Sequence, residues 1–352
     1  MFNNIYKGKK VLVTGHCGFK GSWLALWLKR LGAEVIGYGH PPNTEPNHFA
    51  LLGNNFPDII QYKDFPWGKA AVDLLNQKFL SETMSWFQPE LIIHLAARAI
   101  IPTACKEPRE TFNNNVMGAV NLFEACRLTP SVKGIVAITS DKVYEKKEWN
   151  YAYREIDELG GVEPYSTSKV CVEQVIRCYR ETYGLHIATA RAGNVIGGGD
   201  WNEHRLIPDV VRATAKGEKG VIHTPYATRP WQHVLEPLRG YLLLGQKILE
   251  GKDVNGEWNY GPDGEMTVLE VLNVAKQVWS DIDWYIDKTP THPHMAYLLK
   301  IDSIKAKKEL GWKPVWDMEE AIIKTIQWYK SYYQTGIIES DENIDEYEGG
   351  GI

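Results

Sequence analysis

Cysteine is scarce in this chain of 352 residues: Cys17, Cys105, Cys126, Cys171 and Cys178, an odd count with no Cys-x-x-Cys pair. That spacing argues against a disulfide framework or a thiolate zinc cage, and reads as a reduced, cytoplasmic protein with no metal. Long apolar runs are also missing; none approaches the ~20 residues of a membrane-spanning helix. Basic charge is not in excess, with 39 Lys and Arg against 44 Asp and Glu for a net −5. Such a surface has no general affinity for nucleic acid or anionic membrane, though it leaves room for a local phosphate pocket. No internal repeat is found. The opening MFNNIYKGKKVLVTG runs almost straight into an apolar strand, so no signal peptide is expected.

What is present is an alternation of short β-branched runs with helical periodicity. Lys10–Thr14, Glu34–Tyr38, Leu91–Leu95, Gly134–Thr139 and His186–Arg191 read as strands, separated by helical stretches such as Thr111–Cys126 and Lys169–Tyr183. Strands alternating with helices imply right-handed crossovers and a doubly wound parallel α/β sheet, a Rossmann arrangement. After about residue 196 glycines cluster, and aromatic-rich loops separate helices at Thr267–Trp279 and Met318–Tyr333. The expected organisation is a dinucleotide-binding domain over 1–195, with later segments near 225–260 interleaved, and a smaller substrate lobe over 196–335. The acidic, glycine-ended stretch 336–352 is expected to fray.

Gly15-His16-Cys17-Gly18-Phe19-Lys20-Gly21 follows the first strand and opens the first helix. Glycines at this spacing allow a tight turn, close approach of a pyrophosphate and packing of helix on sheet, with the helix N-terminus facing the negative charge. The second strand ends Tyr38-Gly39-His40, with neither the acidic residue that holds a ribose diol nor an arginine for a 2′-phosphate. The missing basic clamp favours NAD.

Tyr165-Ser166-Thr167-Ser168-Lys169 places a phenol and an ammonium one helical turn apart. Lys169 can stabilise a phenolate and hold a nicotinamide ribose, while Tyr165 removes a hydroxyl proton. Ser140-Asp141-Lys142 stands at the end of a buried strand, where open α/β sheets place their ligands.

With the glycine turn, these motifs resemble an extended short-chain dehydrogenase/reductase. Over roughly residues 5–330 the chain is similar to the CDP-D-glucose 4,6-dehydratases, through TGHCGFKGSWLALWL, NNVMGAVNLFEA, TSDKVYEKKEW, YREIDELGGVEPYSTSK, RAGNVIGGGDWNEHRLIPD, YATRPWQHVLEPLRGYLLLGQK and KAKKELGWKP. The resemblance implies NAD-dependent oxidation at sugar C4 with Tyr165 as base and Ser140 in support. Loss of water across C5 and C6 and hydride return to C6 then give a 4-keto-6-deoxy sugar nucleotide. Asp141 is the implied acid for the departing hydroxyl and Lys142 the implied base at C5. Two readings of Lys142 stand: a neutral base, against an ordinary value of about 10.4, or a charged group that polarises substrate or fixes Asp141. The resemblance also implies that Tyr38, Asp73 and Leu74 flank the cofactor's adenosine, that Ala96 and Ala97 border it, and that Asn115 supports the backbone there. Arg229 is the implied clamp for the substrate diphosphate, with Asn194 and Arg205 contributing, and Tyr297 is an implied substrate contact; Arg205 could instead cap a helix. His94 reads as a core histidine. A homodimer or larger homo-oligomer is the family expectation, as is a place in surface-polysaccharide deoxysugar synthesis.

One stretch departs from the family's Ala-Ala-Gln-Pro-Leu-Val-Arg-x-Ser-Tyr: Ala96-Ala97-Arg98-Ala99-Ile100-Ile101-Pro102-Thr103-Ala104-Cys105. Another is His294-Met295-Ala296 in place of His-Glu-Ala. Polar contacts to sugar hydroxyls carry discrimination, so Arg98 is a candidate contact to an altered substituent, with neutral drift as the alternative. A sugar-nucleotide 4-epimerase or oxidoreductase shares the Tyr/Ser/Lys chemistry but needs no Asp141-Lys142 pair. An inactive nucleotide-sugar-binding protein is the third reading, opposed by the intact Ser140, Tyr165 and Lys169.

Overall fold

The β-branched runs form β1 (Lys10–Thr14), β2 (Glu34–Tyr38), β3 (Leu91–His94), β4 (Gly134–Ile138) and β5 (Ile187–Ala192), joined by a later β6 (Gly256–Tyr260). The computed structural model describes residues 1–53, 72–147, 149–289 and 300–350. These strands make one parallel six-stranded sheet in the order β6-β5-β4-β3-β1-β2. The order reverses at β1, where successive crossovers leave to opposite sides, so a crevice opens at the carboxyl ends of β1 and β3.

Around the sheet run α1 (Phe19–Arg30), α2 (Gln77–Phe87), α3 (Gly118–Arg127), α4 (Pro164–Tyr183), α5 (Leu206–Ala215), α6 (Leu235–Leu249), α7 (Val268–Val278), α8 (Met318–Thr335) and α9 (Ser340–Gly350). Alternate residues of each strand face opposite layers, and both layers are apolar. Val11, Val13, Ile93 and Val136 pack with α1 and α6, whereas Leu12, Ile92, Ile135 and Ala137 pack with α2, α3 and α4. A sheet covered on both faces needs the near-continuous apolar runs seen in β3 and β4.

Short two-stranded pairings lie outside the sheet: Val195–Ile196 with Gln232–His233, Thr228–Arg229 with Met266–Thr267, and Gly220–Ile222 with Trp284–Ile286. Among the described residues no helix is long and apolar enough to cross a membrane, and no three His, Cys, Asp or Glu side chains gather as a metal site.

The acidic C-terminal stretch corrects the expectation of fraying. It is the helix α9, with Ile344 and Tyr347 fully buried. Asp341 and Glu342 sit in its first turn, where the helix dipole favours negative charge. Arg30 of α1 pairs with Asp341 and Asp345, Trp27 donates to Glu348 at 2.7 Å, and Tyr347 donates to the buried Glu236 carboxylate of α6 at 2.7 Å. Two apolar residues among many acids are enough because their i, i+3 spacing puts both on one face.

Candidate active site

The carboxyl ends of the strands open into a cleft of about 1700 Å³. This exceeds the ~300–1,000 Å³ typical of a pocket for one small ligand, leaving space for two ligands side by side.

At one end lies the turn after β1. Gly15 has φ +72°, and a Cβ on Gly21 would stand 2.1 Å from the Gly15 carbonyl oxygen, so neither position accepts a side chain. Gly18 is the N-cap of α1 and supplies no capping side chain, leaving the first turn open toward the cleft. Cys17, Phe19 and Lys20 line the same end. A cradle closed to any Cβ, a helix N-terminus and a lysine fit a dinucleotide diphosphate. Asp73, Leu74, Ala96 and Ala97 line the adjoining wall. Tyr38 is a correction: it is wholly buried against Phe79, donating its hydroxyl to the Asp73 carbonyl at 3.2 Å, because the last residue of β2 points into a core layer. Gly39 and His40 line the cleft in its place.

Midway sit the strand-end and helix motifs. Ser140 closes β4 in extended backbone, and its hydroxyl caps the short turn Asp141–Val143 by accepting from Lys142 N at 3.2 Å. The turn directs Asp141 and Lys142 into the cleft. α4 begins with a capping box: the Glu163 carboxylate accepts from Tyr165 N at 2.7 Å and Ser166 N at 2.8 Å, with Pro164 at the first helical position. That cap locks Tyr165 in the first turn, with its phenol beside Ser140. Lys169, one turn on, donates to the Ile138 carbonyl at 2.9 Å. Asn115 lies behind the wall. It accepts from Arg98 N at 2.8 Å and donates to Ser168 at 2.9 Å, tying the loop after β3 to α4. It sits in a π-turn, Asn113–Met117, a rare geometry concentrated at functional sites.

At the far end, Arg229 is buried, with one guanidinium nitrogen 2.6 Å from the Thr228 carbonyl. Arg205 sits at the N-cap position of α5 without capping it; its Nε lies 3.5 Å from buried Asp200. Asn194 lines the cleft, and so does Arg98, ion-paired with Glu107. Tyr297 and His294–Ala296 lie outside the described residues. His94 is buried, its Nδ1 2.7 Å from Thr14 Oγ1, and burial lowers its imidazole to about 3.

Burial sets the electrostatics. It pushes the Tyr165 phenol up to about 12, against the lowering effect of Ser140 beside it. It brings Lys169 down to about 8, helped by the charge of Lys20, and brings Lys20 down to about 8, helped by Arg205. Burial raises Asp141, with Lys142 pulling it back, and lowers Lys142, with Asp141 pulling it back. An acid moved up beside an amine moved down is the pattern of groups prepared to exchange protons near neutrality.

Residues that motif spacing does not reveal complete the cleft: the Glu163 cap, Asp200, and the rim from Lys219 to Thr224. Beneath the site, Arg191 and Glu173 form a fully buried ion pair at 2.8 Å, and the same carboxylate oxygen accepts from Thr139 at 2.6 Å, beside Ser140. Arg191→Leu strands the Glu173 charge in the core, and urea unfolding is expected to show a loss of about 3–5 kcal/mol.

The GDP-mannose 4,6 dehydratase family model matches residues 12–325. The chain belongs to that family. It is 39% identical to the CDP-glucose 4,6-dehydratase of Salmonella typhimurium over 98% of this chain and 97% of that protein. Among solved structures, the UDP-glucose 4-epimerase of Thermotoga maritima superposes with a TM-score of 0.80 at 22% identity, over 92% of this chain and all of that one. The dTDP-glucose 4,6-dehydratase of Streptomyces venezuelae, solved with NAD and TYD, gives 0.77 at 22% identity, over 92% of this chain and 97% of that one. These two likenesses are of fold, a Rossmann-type α/β arrangement.

Proposed function

We propose that this protein is a sugar-nucleotide 4,6-dehydratase that converts CDP-D-glucose to CDP-4-keto-6-deoxy-D-glucose. The observation that carries the reading is one cleft holding Tyr165, Ser140, Asp141 and Lys142 between the glycine turn and Arg229. An epimerase requires the first two; only elimination requires an acid and a base for C6 and C5. The 39% identity with the Salmonella enzyme favours the CDP-linked substrate.

NAD bound on the glycine turn supplies the hydride acceptor and donor for a cycle with no net redox change. At the β2 end the cleft is lined by Gly39, His40, Pro41, Pro42 and Asn43, with no Lys or Arg among the described residues there, which favours NAD over its 2′-phosphate. Tyr165 takes the C4 hydroxyl proton through its Oη, with Ser140 Oγ hydrogen-bonding the same oxygen, and Lys169 supports the phenolate by its charge. Lys142 Nζ takes the C5 proton and Asp141 donates a proton to the departing C6 hydroxyl; Lys142 gives a proton back to C5 when the hydride returns to C6, and the proton taken by Tyr165 replaces the one Asp141 gave up. Arg229 and Arg205 hold the substrate diphosphate, with Asn194 beside them; Arg98 is assigned to the sugar side. The short two-stranded pairings around Gly220–Ile222 and Thr228–Arg229 form the substrate lobe, and α3 and α4 are the faces proposed for a dimer.

Mass spectrometry of the purified protein incubated separately with CDP-, dTDP-, GDP- and UDP-glucose tests this. Loss of one water from CDP-glucose alone is expected. Loss from another nucleotide sugar instead overturns the CDP assignment, and C4 inversion without water loss overturns dehydration.

A further inference from the structure

Behind the glycine turn runs a chain of buried hydrogen bonds that the proposed chemistry does not use. Trp328 Nε1 lies 2.9 Å from Ser340 Oγ, Ser340 Oγ 2.8 Å from His48 Nε2, His48 Nδ1 2.8 Å from Ser22 Oγ, and Ser22 Oγ 2.9 Å from the Phe19 carbonyl oxygen. All four side chains are essentially inaccessible. Its direction follows from the two ends. An indole nitrogen only donates and a carbonyl oxygen only accepts. Ser340 therefore accepts from Trp328 and donates to His48, which donates from Nδ1 to Ser22, which donates to Phe19. Every hydroxyl is used once each way, and the imidazole is fixed as the neutral Nδ1–H tautomer. Burial lowers this imidazole to about 3, so it stays neutral throughout the ordinary pH range.

The endpoint is the first residue of α1, whose N-terminal turn has no capping side chain. The starting point lies on α8 and at the first residue of α9, more than 300 positions later in the chain. The glycine cluster 197–199 is shaped around the same relay. A Cβ on Gly199, where φ is +84°, would meet His48 at 2.5 Å; one on Gly198 would meet Trp328 at 2.0 Å, and one on Gly197 the Phe19 ring at 3.2 Å. His48 also stacks on Trp23 of α1 at 4.9 Å. Three separate segments thus converge on the turn that faces the diphosphate.

We propose that Ser22, His48, Ser340 and Trp328 are positioning residues that hold the first turn of α1 in its diphosphate-binding place, making the C-terminal helix part of what retains the dinucleotide. The proposal rests on the reading of the cleft as an NAD site. Retention matters to a cycle that returns the hydride it takes, because a cofactor lost midway leaves the sugar oxidised.

Calorimetric titration of the full-length, nucleotide-stripped chain with NAD tests it. His48→Phe keeps a ring against Trp23 but no nitrogen, and is expected to weaken NAD at least fivefold while CDP binds within twofold of wild type. Ser340→Ala, smaller by one oxygen, is expected to weaken NAD severalfold. The double variant should bind no worse than His48→Phe alone, because both changes break one chain and their effects do not add. Amide exchange over residues 19–24 should quicken in both single variants without nucleotide present, a readout that survives if titration does not. Two folded single variants that bind NAD within twofold of wild type, or that combine multiplicatively, overturn the relay alone. A wild-type chain that binds no NAD overturns the cofactor reading, and the relay's role with it.

Discussion

Tyr165→Phe is expected to lower kcat on CDP-glucose at least about a thousandfold while NAD binding stays within a fewfold of wild type. The phenol is held by position rather than by bulk. Glu163 caps the turn from below, Ser140 meets the hydroxyl, and the ring is already buried. Phenylalanine fills the same volume and leaves those elements in place, so what is lost is the proton acceptor. General-base contributions run to about 10²–10⁴, and here the same oxygen must release its proton later in the cycle. Burial raises the phenol to about 12, so at neutral pH it is protonated without ligand. It becomes a base only with positive charge close by, for which Lys169 and Lys20 are the resident candidates. Steady-state kinetics beside NAD titration checks the prediction; undiminished turnover removes Tyr165 from the proton path.

The catalytic half of this cleft was readable from the chain because its chemistry is local. Tyr165 and Lys169 are four residues apart, Ser140 to Lys142 are contiguous, and the glycine turn is one heptapeptide. Each carries its own backbone requirement, so motif and geometry coincide. Tyr38 was misplaced for the opposite reason. Its position at the end of β2 was right, but strand alternation turned its ring inward and left Gly39 and His40 at the surface of the cleft. Composition misjudged the tail because stability there comes from Tyr347 reaching Glu236 and Ile344 entering the core, contacts made across more than 100 positions. The relay from Trp328 to Phe19 was invisible for the same reason: no member has a motif, and only the fold brings positions 22, 48, 328 and 340 together. Arg205 lay between these cases. It stands where a helix cap would, yet its guanidinium turns to Asp200 and the cleft.

Lys142→Met is expected to abolish loss of water, by about 10²–10⁴ in rate, while oxidation at C4 survives as a 4-keto hexose nucleotide that retains its C6 oxygen. The argument turns on what lies around the amine. Burial lowers Lys142, the Arg229 and Arg205 charges push the same way, and Asp141 and Glu163 oppose them. The two arginines among these are also the groups proposed to meet the substrate diphosphate, so arrival of that dianion shifts the balance back toward the charged amine. Lys142→Arg therefore separates the two roles open to it. A guanidinium keeps the positive charge beside Asp141 but stays protonated at any working pH. If Lys142 takes the C5 proton, the arginine variant is as inactive in elimination as the methionine variant. In deuterated water, neither then places label at C5. If the amine only polarises the substrate, arginine restores a large part of the rate. Mass spectrometry of the product, with deuterium located by NMR, reads both outcomes, and full elimination activity in Lys142→Met removes the residue from the mechanism.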